Sequence, residues 1–165
     1  MINSAHLHLL TNHFPVIGTI LVILVIAYGL IRKNKEVIRT ALLLSIVVAL
    51  VTIVAYTSGE GAEDIVEGMD GVNEEYIHEH EDAALYAFYM MEFIGVVGLA
   101  GLIIFARAEK FPAWFIAVFM LLLLFNVGIM ARTANLGGKI HHPEIEDSGS
   151  VMNGDGHDEH EEDDD

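Results

Sequence analysis

Four stretches of about twenty residues, each with almost no charge, limit what this chain can become more than any other feature. Residues 15–31, 40–58 and 112–131 contain no charged side chain, and residues 83–106 contain one, Glu92. Each is close to the roughly 20 residues that cross about 30 Å of hydrocarbon as a helix. The pattern predicts an all-α integral membrane protein, a four-transmembrane-helix up-down bundle. Spans are expected at about 13–31, 38–58, 83–106 and 112–132, within a membrane domain covering residues 1–146. A hydrophobic content of 53% would also suit a greasy soluble domain, so it is run length that decides. Residues 1–12 carry no Lys or Arg and no small-residue cleavage site follows Ile31. The first run is therefore expected to be retained rather than removed as a signal peptide.

Six of the eight Lys and Arg residues, Arg32, Lys33, Lys35, Arg39, Arg107 and Lys110, fall in the loops after the first and third spans. The positive-inside rule makes those loops cytoplasmic. Both termini and the 58–82 loop are then expected on the outer side, which for a bacterial inner membrane is the periplasm. That outer side is acidic: of 24 carboxylates, only Glu36 and Glu109 lie in the inner loops and Glu92 in a span.

Groups with lone pairs gather toward the same outer edge. His6, His8 and His13 stand among Leu and Ile in an amphipathic lead-in, with His6 and His13 seven apart on one helical face. The second span exits through Ser58-Gly59-Glu60-Gly61, where the glycines permit a tight turn; Glu60 and Glu63 share a face if the helix continues. The third span opens after His78-Glu79-His80-Glu81-Asp82, acidic as a helix N-terminus prefers. Its Gly95, Gly98 and Gly101 form a small-residue seam, for close helix contact or a flat ligand. Glu92 lies roughly 14 Å below the edge at 1.5 Å per residue. A carboxyl so deep is expected to face the bundle interior, as the neutral acid or paired with a polar neighbour such as Asn126. After the fourth span come Asn135-Leu136-Gly137-Gly138-Lys139-Ile140-His141-His142-Pro143-Glu144, with a helix-stopping proline.

The composition changes again beyond Pro143. Eleven of the last 22 residues are carboxylates, too few apolar groups to bury a core, so residues 147–165 are expected to be a disordered, flexible acidic tail. No cysteine is present, which excludes disulfides, thiolate clusters and thioether-attached haem and leaves N and O ligands, or Met sulfur, for any metal. No nucleophile–base arrangement or phosphate loop is visible. A net charge of −16 argues against nucleic acid.

These positions place His13, His80 and His141 or His142, with Glu60, Glu63, Glu81 and Glu144, in one outer layer. Two imidazoles from different helices can hold a haem iron from both sides. Three imidazoles with a carboxylate would instead suit Zn or Cu.

Taken as a set, Asn12-His13-Phe14-Pro15, Ser58-Gly59 with Glu63, His80-Glu81-Asp82-Ala83-Ala84-Leu85, and Leu136-Gly137-Gly138 leading to Ile140-His141-His142-Pro143-Glu144-Ile145 resemble motifs of a group of small bacterial four-helix membrane proteins of unknown function. That group looks related to the membrane domain fused to Rieske iron–sulfur and c-type cytochrome modules. The resemblance covers roughly residues 6–146. It implies a b-type haem or metal-binding membrane partner of periplasmic redox proteins, with His13, His80 and His142 as functional positions. The family pattern often has Arg before the last His, where this chain has His141, so 141 and 142 both remain candidates.

The reading that follows is a non-catalytic electron-transfer subunit holding haem b through a pair drawn from His13, His80 and His142. A Zn- or Cu-binding protein using those histidines with Glu63 and Glu144 is the alternative. So is a structural subunit of a larger respiratory or photosynthetic complex.

Overall fold

The computed structural model describes residues 3–66, 69, 72 and 74–140. They form five helices, α1 (Ser4–Thr11), α2 (His13–Ile31), α3 (Lys35–Val66), α4 (Glu74–Ile104) and α5 (Ala113–Lys139), with no strand among the described residues. The α1–α2 unit, α3, α4 and α5 are each long and apolar enough to cross a membrane. Helix α2 packs on α3, α3 on α4, α4 on α5, and α5 back on α2, closing a four-helix ring of antiparallel neighbours, while α1 lies against α3. His141, His142, Glu144 and the acidic tail lie outside the described residues.

The chain breaks between α1 and α2 for a local reason. Pro15 has no N–H, and its ring would meet the carbonyl four residues back in one continuous helix. At its other end α2 stops in a Schellman turn: Lys33 adopts φ 49°, Asn34 N–H donates to Gly29 O at 2.9 Å, and Lys33 N–H donates to Leu30 O at 3.1 Å. The Asn34 side chain then caps α3 by accepting from Glu36 N–H at 2.9 Å. Lys35 and Arg39 donate to the carbonyls of Ala106 and Ala108, just past the end of α4. Cations thus meet the carbonyl-rich end of a helix, the favourable pole of its dipole.

Val22, Ile26, Leu42, Met91, Phe119 and Leu123 form the centre of the core and are wholly excluded from solvent. The Gly95–Gly98 seam is a packing surface: a Cβ on Gly95 would sit 2.7 Å from Ala49 Cβ, and one on Gly98 would sit 2.6 Å from Ser45 Oγ. Buried hydroxyls bond back to their own helix, Ser45 to Leu42 O at 2.7 Å and Thr52 to Val48 O at 2.8 Å, so neither needs a partner across the bundle. Large apolar side chains such as Ile31, Tyr86, Leu121 and Phe125 face outward, as a lipid-facing belt requires.

Three helix ends lie beyond the expected spans. Helix α3 continues past residue 58 to Val66, α4 starts at Glu74 rather than 83, and α5 runs through Gly137 and Gly138 to Lys139. The glycines expected to release the chain are instead places where another element presses on a helix.

Candidate cofactor site

Two imidazoles meet at the end of the bundle where α1 covers α3. His8, from α1, shares a hydrogen bond of 2.9 Å between Nδ1 and Ala55 O of α3. His80, from α4, does the same with Thr133 O of α5 at 2.8 Å. Each ring lies on a glycine four residues beyond that carbonyl. A Cβ on Gly59 would stand 3.2 Å from His8 Nδ1, and one on Gly137 would stand 3.1 Å from His80 Nδ1.

The repetition has a simple cause. A helix carbonyl already accepts the N–H four residues on, and its second lone pair is open to an outside donor only where that fourth residue leaves room. Glycine leaves that room at both places. Because a carbonyl can only accept, Nδ1 of each ring carries a hydrogen, so that in the neutral form of the imidazole the lone pair would lie on Nε2. Neither Nε2 has a hydrogen-bond partner among the described residues. The ring centres are 6.5 Å apart and the planes are nearly perpendicular, at 85°. Each imidazole is thus held through Nδ1 by a backbone carbonyl, the kind of contact that orients a metal-binding histidine through its other nitrogen.

His80 was an expected site residue, and the structure gives it a different companion. His13 is exposed, and its ring bonds to the side chain of its neighbour Asn12. His8 could have been found from sequence only by knowing that α3 stays helical through Gly59, where a ring can dock.

Beside the imidazole pair, Glu63 of α3 and His78 and Glu81 of α4 bring one ligand atom each to within 4.8 Å of one another. One nitrogen and two carboxylate oxygens match the donor set of a divalent cation such as Zn²⁺. Glu63 thus falls in a cluster with His78 and Glu81 rather than with His13.

Deeper in the bundle, Glu92 was expected as the neutral acid or paired with a polar neighbour such as Asn126, and among the described residues no hydrogen bond joins it to Asn126. Asn126 is fully buried and donates from Nδ2 toward Met91 Sδ at 3.5 Å and Met130 Sδ at 3.7 Å. Thr19 Oγ1 points at the same two sulfurs, at 3.6 and 3.7 Å, while bonding to Pro15 O at 2.7 Å. Asn126 Oδ1 and Glu92 Oε1 are both buried without a partner among the described residues. Consecutive helical residues point about 100° apart, so an amide directed at Met91 is directed away from Glu92.

Compared with family models, with curated proteins and with solved structures, the chain finds no match.

Proposed function

We propose that this chain is a membrane electron-transfer protein that holds haem b through His8 and His80. The observation that carries the reading is the pair of imidazoles from separate helices, each anchored through Nδ1–H to a backbone carbonyl with Nε2 left to bind. Their ring centres are 6.5 Å apart, a separation at which both rings would be within reach of one metal ion. Held by these two imidazoles, a haem iron would supply one-electron transfer and leave no open site for substrate, in keeping with a subunit that passes electrons without catalysing a reaction. The Lys- and Arg-rich loops argue for an inner-membrane orientation with the imidazole end at the periplasm. The acidic residues at that end would draw in a basic carrier such as a c-type cytochrome, or a Rieske protein, with an attraction that weakens with salt.

The test is an absorption spectrum of the full chain purified in mild detergent with haem available. The expected result is a Soret band that shifts on reduction, lost in His8→Ala and His80→Ala and kept in His13→Ala. A band lost in His13→Ala and kept in His8→Ala would overturn the assignment of the pair; no band at all would overturn the haem.

A second reading draws on Glu63, His78 and Glu81, whose grouping favours a Zn- or Cu-binding protein. Metal analysis after dialysis separates the two. Iron with a porphyrin spectrum supports the first, and stoichiometric Zn or Cu lost in His78→Ala supports the second.

A further inference from the structure

A groove of about 810 Å³ runs down the outside of α4 and α5. Met90, Phe93, Leu124 and Phe125 make it apolar, and Gly128 leaves its floor open, since nothing stands within 4 Å of where a Cβ would be. Toward the imidazole end it opens into a second recess of about 320 Å³ that shares Ala83, Tyr86 and Arg132 with it and adds Glu79 and Asp82. The recess is therefore a polar head on an apolar channel. Residues 83–93 of α4 cover about 15 Å of helix, half of the roughly 30 Å hydrocarbon thickness and so the depth of one leaflet. The charged residues fall where the apolar runs end, at the level of lipid headgroups.

The charges select among lipids. One guanidinium and two carboxylates line the recess, and no ion pair joins Arg132 to Glu79 or Asp82 among the described residues. A simple anion such as a fatty acid would meet one cation and two like charges. A neutral quinone would leave all three charges unmatched. A phospholipid whose head carries both a phosphate and a primary ammonium meets each of them: the phosphate meets Arg132, the N–H donors meet Glu79 and Asp82, and the acyl chains fill the groove. We infer that the α4–α5 groove is a one-leaflet binding site for a phosphatidylethanolamine-type lipid. Occupation of this groove is independent of any cofactor at His8 and His80.

The experiment is native mass spectrometry of the delipidated full chain in detergent, with phosphatidylethanolamine, phosphatidylcholine or phosphatidylglycerol added in equal amounts. Phosphatidylethanolamine should be retained about fivefold over phosphatidylglycerol, the scale of one exposed charge pair, with phosphatidylcholine, which has no N–H donor, between them. Arg132→Ala should lower retention of all three. Glu79→Gln with Asp82→Asn should abolish the preference and leave binding in place. Gly128→Phe, which fills the channel from its floor, should reduce binding of every lipid. Equal retention of the three lipids, preference for phosphatidylglycerol, or retention insensitive to Arg132→Ala and Gly128→Phe would overturn the proposal. So would displacement of the bound phospholipid by an added quinone.

Discussion

Both ends of the bundle place an aromatic ring on a helix glycine, and the two ends use that contact for different things. At the Lys- and Arg-rich end, Phe115 rests on Gly101 and stacks in a run of phenyl rings, 5.2 Å from Phe105 and 6.0 Å from Phe119 between centres. At the other end, His8 rests on Gly59 and His80 on Gly137. The steric device is the same: remove a Cβ and a flat ring can lie on the backbone. A phenyl ring in that seat satisfies itself by dispersion contact alone. An imidazole also takes up the exposed carbonyl and still has a second ring nitrogen, which in the proposed function is the one that binds.

If the phenyl end is purely packing, its loss should be felt only in stability. Phe119→Ala empties a fully buried position and should cost about 2–3 kcal/mol. That is below the roughly 3–5 kcal/mol of a soluble core, because the unfolded helix leaves the ring in lipid and not in water. Thermal unfolding in detergent should show the loss, with haem content per folded molecule unchanged. A cofactor lost in proportion to stability would mean that the two ends are not separate in function.

The same substitution under each ring sharpens the contrast. Gly101→Ala drives a Cβ into the Phe115 ring, which the surrounding phenyl rings hold in place, and should cost about 1–3 kcal/mol as overpacking. At Gly137, a Cβ 3.0 Å from His80 Cε1 needs only a few tenths of an ångström of ring movement. Gly137→Ala should therefore cost at most about 1 kcal/mol, the value of a weakened hydrogen bond, while lowering haem occupancy several-fold. The measurement is the ratio of Soret absorbance to protein beside an unfolding curve. Equal losses of stability at the two glycines would leave the imidazole end as packing only.

Asn126 lies between the ends, and its expected effect is of similar size but opposite sign. Among the described residues its donors reach only thioether sulfur and its carbonyl oxygen is unmatched, so the amide contributes little to offset its burial. Asn126→Leu should raise stability by about 1 kcal/mol in the same unfolding assay. A loss of that size would show that Oδ1 has a partner in the folded protein.

What could be read from the chain alone follows from how local each feature is. Apolar run length belongs to the sequence itself, and the four spanning helices follow from it. The extensions over residues 59–66, 74–82 and 133–139 do not, because glycine and acidic residues at those positions are the ordinary marks of a chain leaving a helix. Contact overrides those marks: α1 lies on Gly59 and Gly61, and His80 lies on Gly137. His80 stood out as an imidazole at the mouth of a span. His8 did not, because its seat depends on α3 staying helical through Gly59, where the sequence marks an exit. Glu92 and Asn126 were matched by depth alone, and depth along a helix carries no information about the angle around it.

The smallest effect tests the seat idea at its control position. Gly128 lies in α5 as Gly137 does, though nearer its middle, and among the described residues no atom lies within 4 Å of a Cβ placed there. With no ring to seat, glycine at this position has only its conformational disadvantage, so Gly128→Ala should stabilise the delipidated protein. The gain should be about 0.5 kcal/mol, the low end of the usual glycine-to-alanine difference, because a helix in an apolar medium has no water competing for its backbone. In detergent this appears as a rise of a few degrees at most in Tm. A fall would mean that a side chain, or a neighbouring copy, packs on Gly128 as the rings pack on Gly101 and Gly137. The groove would then be an interface and not a lipid channel.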